Sequence, residues 1–192
     1  MKKYSLTYFS VVALVVLTTG VTLAAFTDKT SILGASFSVG GSEIKILKDV
    51  AVGTETENLA DQIPGPIFTK ISSNWTKDYY VKIYNGSDGN VMLTTNASYL
   101  TANDTAELRS IINVEPIEWN DVNSNGVVDD GELGNSLGKK TIVKWKTEGF
   151  DLGVVSGGGV KALVLRFSTD SVSTTKQGQS ATYDFDFNSI AL

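Results

Sequence analysis

Neither cysteine nor histidine occurs among the 192 residues of the sequence. Without cysteine there is no disulfide, so stability has to come from packing, hydrogen bonding or a bound metal. Without histidine, a Ser-His-Asp triad, a Cys-His pair and an HExxH zinc site are all excluded. The metal ligands that remain are oxygen atoms, which favour hard cations such as calcium.

Charged residues are also few, and the acidic ones outnumber the basic ones. The chain has 16 Lys and Arg residues against 21 Asp and Glu residues, for a formal net charge of −5. An acidic protein is a poor partner for nucleic acid or an anionic membrane, because like charges repel. We therefore expect no nucleic-acid partner, and no membrane partner once the leader described next has been removed.

Residues 1–24 have the three parts of a secretory signal peptide. Lys2 and Lys3 form a basic start, residues 4–17 are mostly apolar, and small residues precede a predicted cleavage site between Ala24 and Ala25. Cleavage predicts a secreted protein that is found at the cell surface or in the extracellular matrix.

An uncleaved membrane anchor is the alternative interpretation of this leader, since about 20 apolar residues span a bilayer. Threonines and a glycine make residues 18–22 poorly apolar, and no cluster of charges follows them. The pattern therefore favours cleavage, which leaves residues 25–192 as one domain of ordinary size.

Short runs in which apolar and polar residues alternate recur along residues 25–192, as in half-buried β-strands. Gly, Asn, Asp and Ser separate the runs, as expected of turns. Residues 160–167 are almost continuously apolar, which is typical of a strand buried on both faces. Six or more such strands predict an all-β, antiparallel sandwich. The predicted strand segments are a hairpin "FSVGGSEIKIL", then "DYYVKIYNGSDGNVML", "KTIVKWK", "VKALVLRF" and "ATYDFDFN".

One short helix is predicted over residues 101–112, "TANDTAELRSII". Asn103 or Asp104 would cap its start, and apolar residues follow at helical spacing. Pro116 lies just beyond it and cannot continue a helix.

The segment "DVNSNGVVDDGE", residues 121–132, matches the twelve-residue calcium loop of an EF-hand. Oxygen-bearing side chains occupy positions 1, 3, 5, 9 and 12, and Gly126 occupies position 6, where the loop turns sharply. Position 7 would offer its carbonyl, and Val128 is the apolar residue that ties such a loop to its surroundings. The predicted Ca²⁺ ligands are Asp121, Asn123, Asn125, Val127, Asp129 and Glu132.

An acidic surface turn is the alternative interpretation of this loop, because Asp, Asn and Gly are ordinary turn residues. The flanks also differ from an EF-hand: Pro116 precludes a full entering helix, and Gly134 and Gly138 argue against a long exiting one. A single loop with three carboxylates predicts weak binding, with a Kd on the order of 10⁻⁴–10⁻³ M. We expect the loop to act as a structural staple between strands.

Three motifs, in the same order, resemble the TasA/camelysin family of secreted proteins. The first begins at the predicted cleavage site, with Ala25, Phe26 and Asp28 in "AAFTDKTSILGASFSVGGSEIKI". The second is the Pro-Gly segment "IPGPIFTK" before the strand "YYVKIYNGSDGNVML", and the third is "KQGQSATYDFDF". Residues 121–132 are not part of the family pattern and resemble an insertion.

The resemblance implies a jelly-roll-like β-sandwich that forms extracellular fibres in a biofilm matrix. Its members assemble by donor-strand exchange, in which the N-terminal segment of one subunit completes the sheet of the next. The implied donor segment is residues 25–36, followed by a sandwich domain of residues 37–192 with the loop 121–132 inside it. The side chains that would fill pockets of the neighbour are Phe26, Ile32, Leu33 and Phe37.

Several alternatives stay open from the sequence. The donor segment is, alternatively, the first strand of its own sheet. The first hypothesis is a non-enzymatic structural protein that forms a homopolymer, with or without other matrix proteins. The second is a monomeric cell-surface module that binds through a tyrosine-bearing strand face. A camelysin-type secreted protease is the third hypothesis, against which the lack of histidine and cysteine argues. Candidate glycan acceptors are Asn74, Asn85, Asn96 and Asn103.

Overall fold

The computed structural model of the protein describes residues 32–40, 44–68 and 71–192, and among residues 32–40 it describes the side chains of Phe37 and Val39 only. The predicted signal peptide, its cleavage site at Ala24 and Ala25, and Phe26 lie outside the described residues. The described strands are β1 (Ile32–Gly40), β2 (Ile44–Leu47), β3 (Leu59–Ala60), β4 (Gln62–Pro64), β5 (Thr76–Asn85), β6 (Val91–Ser98), β7 (Ile112–Trp119), β8 (Leu133–Ser136), β9 (Lys140–Thr141), β10 (Phe150–Val155), β11 (Val160–Thr169) and β12 (Ser180–Ala191). The described helices are α1 (Ile142–Glu148) and the 3₁₀ helices Thr56–Asn58, Thr101–Asn103 and Leu108–Ser110.

The strands form two sheets, which confirms the predicted all-β sandwich. One sheet has the strand order β10-β6-β12-β1-β4, and the other has the order β3-β2-β5-β11-β7-β8, with β9 also paired to β7. Neighbouring strands are antiparallel except for β1 and β12, which run parallel over nine register pairs. The described helices are too short or too polar to serve as membrane spans.

The main core lies between the sheets, and strands such as β6 and β12 supply it with every second residue. On β12, Tyr183, Phe185 and Phe187 are fully buried while the residues between them are exposed or half-buried. On β11, Leu163 and Leu165 are fully buried in the same cluster. The alternation predicted for the last strand is therefore confirmed.

A second, smaller cluster lies on the outer face of the sheet that contains β11. It consists of Ile117 and Trp119 of β7 and Val164 of β11, with half-buried neighbours that include Tyr80 and Val128. Because Val164 points away from the main core and is also fully buried, β11 is covered on both faces, as its apolar sequence predicts.

In the segment "KTIVKWK", predicted as a strand, only Lys140 and Thr141 are extended, as β9, and helix α1 begins at Ile142, so that prediction is wrong for most of the segment. The Thr141 hydroxyl caps the helix by accepting from Lys144 N at 3.3 Å, and Gly149, with φ of 63°, follows the last helical residue and terminates the helix. Ile142 and Trp145 are fully buried because residues three apart share one face of a helix. The apparent alternation hid this spacing.

The helix predicted over residues 101–112 is also wrong. Two single-turn 3₁₀ helices occupy the segment, and β7 begins at Ile112. Glu107 lies between the two turns in the left-handed region, at φ of 54°, which interrupts a continuous right-handed helix. The predicted cap Asp104 does accept from a turn, at Leu108 N, at 2.7 Å.

The hairpin predicted for "FSVGGSEIKIL" is wrong as well, because its two arms belong to different sheets. β1 pairs with β12 and β4, whereas β2 pairs with β3 and β5. The side chains of Phe37 and Ile44 therefore enter the core from opposite sheets, and both belong to the main core cluster. A periodicity of two identifies each strand but does not select its partner.

Candidate calcium loop

The loop 121–132 connects two strands and not two helices. It joins β7 to the edge strand β8, whose antiparallel pairing includes Trp119 opposite Leu133. The Asn120 N–H donates to the Glu132 carbonyl at 2.8 Å and closes the base of the loop. The prediction that full EF-hand helices are absent from both flanks is confirmed.

Side-chain oxygens turn the first half of the loop back onto its own backbone. Asp121 accepts from Asn125 N through Oδ1 at 3.1 Å and from Gly126 N through Oδ2 at 3.0 Å. Asn123 Oδ1 accepts from Asn125 N at 3.0 Å, and Asn125 Oδ1 accepts from Val127 N at 2.7 Å. Successive Asx turns of this kind give this half of the loop its tight curvature.

Gly126 is required for two independent reasons. Its φ of 72° lies in the left-handed region, and a Cβ at this position would approach the backbone of Ala51 to 2.7 Å. The loop therefore rests directly on the segment that follows β2.

Asp129 links the two halves of the loop. Its Oδ2 atom accepts from Asn123 Nδ2 at 2.8 Å and from Asn125 Nδ2 at 2.9 Å. Positions 3, 5 and 9 of the predicted ligand set are thus in contact. Val127, at position 7, is exposed.

Glu132, the predicted closing ligand, is buried, with 6% of its surface exposed. Oε1 accepts from Val122 N at 3.1 Å, while Oε2 accepts from Asp129 N at 3.0 Å and from the Trp119 indole Nε1 at 3.2 Å. Three N–H donors satisfy this carboxylate from within the protein. Glu132 therefore has a structural role that the sequence pattern does not reveal.

Lys82 of β5 is the residue at this site that sequence reasoning missed. Its Nζ atom lies 2.6 Å from Asp121 Oδ2 and 2.7 Å from the Val50 carbonyl, and 5.0 Å from the centre of the Trp119 ring. The Lys82 and Asp121 side chains are only 9% and 3% exposed. In the sequence, the only sign of this ion pair is that Lys82 lies between Tyr80 and Tyr84 on the outer face of a strand.

The pKa of Asp121 reflects this environment. Burial by itself would raise the pKa, but hydrogen bonds from Lys82 and from the Gly126 and Asn125 N–H groups hold it below its usual range. Asp121 is therefore a carboxylate and not a neutral acid in the folded protein at neutral pH.

Apolar contacts fix the loop to the sheet. Val128 packs against the outer cluster of Ile117, Trp119 and Val164, which agrees with the anchoring role predicted for it. A cleft of about 250 Å³ lies beside the loop and is bordered by Ala51, Lys82, Trp119 and Asp121, among others.

The donor set fits calcium by its chemistry, since every candidate side-chain ligand offers oxygen. No group of three or more Asp or Glu side chains in the described part of the chain is arranged to hold a metal ion. The ligands of a cation at this site would therefore be amide and carbonyl oxygens together with a few carboxylates. The cation would compete for these oxygens with the hydrogen bonds described above.

The residues predicted to act in donor-strand exchange lie in two different settings in the structure. The backbone of Ile32 and Leu33 belongs to β1 and lies opposite Ser180 and Ala181 of β12 in the same chain. Phe37 is fully buried in the main core and stacks on three rings, with centroid distances of 5.0 Å to Tyr79, 5.3 Å to Phe185 and 6.2 Å to Phe187.

The four candidate glycan acceptors are not equivalent. Asn74 and Asn103 are exposed and Asn96 is half-buried. Asn85 is fully buried and donates through Nδ2 to the carbonyls of Gly89, Val155 and Ser156. A glycan on Asn85 would break these bonds, so the folded chain leaves no room for one there.

Comparisons with known proteins identify a distant structural similarity only. No protein-family model matches the sequence, and no curated protein matches it. Among solved structures, the chain is similar to the ASH / PapD-like domain of human CEP192 (PapD-like domain 7), with 7% sequence identity over 64% of this chain and 78% of that one, and a TM-score of 0.25. A similarity this distant carries no functional conclusion.

Proposed function

We propose that this protein is a secreted structural protein that assembles head to tail into extracellular filaments by exchange of its first strand. The observation that carries the proposal is the position of β1. This strand comes first in the described chain, lies between β12 and β4, and brings Phe37 into the core. A neighbouring copy's β1 could make the same contacts without any change in the connections of the other strands.

The pairing of β1 favours such an exchange. It runs parallel to β12 along its whole length, but β4 covers it only over Ser36–Ser38. The contacts that hold β1 are thus concentrated on one neighbour and on one buried ring. Exchange of a terminal strand reproduces every contact between copies, and because the operation is head to tail it yields an open filament and not a closed dimer.

A disulfide trap tests this proposal, since the chain contains no cysteine. Ser38 of β1 lies opposite Gln62 of β4 in an antiparallel pair, a spacing that a disulfide can bridge. We expect the double variant Ser38→Cys, Gln62→Cys of residues 25–192, oxidised at high protein concentration, to give a ladder of covalent multimers on a denaturing gel.

A matched pair that does not involve β1 provides the control. Thr94 of β6 lies opposite Asn188 of β12 in the same antiparallel manner. Thr94→Cys, Asn188→Cys should form an internal disulfide and remain monomeric. If the Ser38–Gln62 pair also closes only internally, under conditions where electron microscopy shows filaments, strand exchange through β1 is refuted.

A monomeric cell-surface module is the alternative function, and one observation favours it: β1 completes a sheet of its own chain. Absence of filaments from concentrated, purified residues 25–192 would support this alternative. A casein-degradation assay with a chelator control tests the proteolytic hypothesis separately, and we expect no activity.

We further propose that the loop 121–132 binds Ca²⁺ weakly and staples β7 to β8. The support is the match of residue types to the calcium loop and the proximity of positions 3, 5 and 9, whose side chains a cation would draw together in place of their present hydrogen bonds. Millimolar calcium is about one to ten times the expected Kd, so binding only to the folded form would stabilise it by about 0.4–1.4 kcal/mol. Melting curves with millimolar calcium and with EDTA should differ accordingly, and Asp129→Ala, at an exposed position, should abolish the difference.

A further inference from the structure

The Lys82 ammonium is the cation that the structure places at the first position of the loop. It neutralises Asp121, the first residue of the loop, from β5, which β11 separates from β7 in the sheet, and across 39 positions of sequence. The two side chains border the cleft beside the loop but are only slightly exposed, and this low exposure strengthens the contact. The described hydrogen bonds of the Asp121 carboxylate come from one internal cation and two backbone N–H groups.

We propose that Lys82 is an internal counter-ion that sets the calcium affinity of the loop. Its positive charge opposes a divalent ion at Asp121 and keeps the metal-free loop folded. This inference concerns the calcium site of the proposed function and deepens it. It explains how a loop with an EF-hand ligand pattern stays ordered on a β-sheet without flanking helices.

The geometry links the same lysine to a second segment. Lys82 Nζ also donates to the Val50 carbonyl, and Gly126 of the loop closely approaches Ala51. The segment after β2, the strand β5 and the loop therefore meet at one ammonium group. Any movement of Asp121 toward a metal is resisted by this three-way contact.

Lys82→Met tests the proposal because methionine keeps most of the length and apolar stem of lysine but lacks its charge. We expect calcium binding to become about tenfold tighter, since removal of one positive charge next to a divalent ion has roughly this effect even at the dielectric constant of water. Lys82→Arg should keep the wild-type Kd. Lys139→Met removes a lysine that pairs with the exposed Asp170, and it should leave the Kd unchanged.

Isothermal titration with calcium chloride measures the Kd, and terbium luminescence gives a second readout. Trp119 contacts Glu132 and the loop, whereas Trp75 and Trp145 belong to the main core cluster. Terbium emission excited through tryptophan should therefore come from Trp119 and should saturate at lower terbium concentration in Lys82→Met.

The outcomes separate the two proposals. Tighter binding in Lys82→Met, with unchanged binding in Lys139→Met, supports the counter-ion role. Equal or weaker binding in Lys82→Met, with calcium still bound by the wild-type protein, overturns that role and leaves the calcium loop standing. If neither protein binds calcium or terbium, both proposals fail. If Lys82→Met unfolds in EDTA, refolding by millimolar calcium supports the counter-ion role, and failure of calcium to restore folding overturns it.

Discussion

Replacement of Glu132 by alanine should destabilise the protein even in the absence of metal. A glutamate that served only as a calcium ligand would be dispensable in EDTA. In this structure, however, the Glu132 carboxylate is buried and accepts hydrogen bonds from Trp119 Nε1, Val122 N and Asp129 N. We therefore expect Glu132→Ala to lower stability by more than calcium removal does.

The size of this loss of stability depends on which of the three N–H donors water can reach once the Glu132 carboxylate is removed. Val122 and Asp129 are exposed residues, so water replaces much of what their N–H groups lose. Trp119 is only 4% exposed, so its indole N–H would be left without a partner, at a cost of about 1–3 kcal/mol. With the loss of two charge-assisted bonds that hold the loop, the total is about 3 kcal/mol.

Thermal melting by circular dichroism in EDTA measures this cost. For a domain of this size, about 3 kcal/mol corresponds to a fall in Tm of roughly 6–12 °C. Glu55→Ala is the control, because Glu55 is exposed and its side chain makes no capping bond at the 3₁₀ helix that follows it. A Glu132→Ala protein that melts with the wild-type protein in EDTA would refute the structural role.

Three further predictions concern the core, a buried ion pair and pH. Phe37→Ala should cost about 3–5 kcal/mol in urea denaturation because Phe37 is fully buried; a cost near zero would mean that Phe37 does not anchor β1. Asp104→Ala should cost about 3 kcal/mol, because the fully buried Asp104 carboxylate accepts from the buried Leu108 N at 2.7 Å and from Arg109 Nη1 at 3.0 Å; equal stability of the variant would contradict this. Because the folded pKa of Asp121 is lowered, its stabilising contribution is complete above the unfolded pKa of about 3.9 and is lost as pH falls through the folded pKa. In EDTA, the Tm difference between the wild-type protein and Asp121→Asn should thus shrink below about pH 4, and a difference that grows there would contradict the assignment.

Local pattern predicted the class of fold, because alternation of apolar and polar residues reports directly which strand face is buried. The alternation of Tyr183, Phe185 and Phe187 corresponds to three fully buried rings. The same reasoning failed at Trp145, where a spacing of three residues from Ile142 was hidden within an apparent alternation. It also failed at Glu107, whose left-handed backbone is not visible in residue type.

The twelve-residue pattern of the loop identified the candidate ligands, since a ligand pattern is local in sequence. Its flanks were also predictable, because Pro116 and the glycines beyond the loop exclude long helices. Neither the internal role of Glu132 nor the identity of its partner Trp119 was predictable. Both depend on how the loop folds back onto the outer face of the sheet.

By itself, the sequence determined the absence of disulfide and histidine chemistry, the all-β class and the residue types of the loop, because each of these is a property of composition or of neighbouring positions. Only the tertiary structure decided that β1 and β2 enter different sheets, that β1 lies parallel to the last strand, and that Lys82 meets Asp121. These are contacts between residues far apart along the chain. They are selected by the packing of the whole sandwich, and no local pattern encodes them.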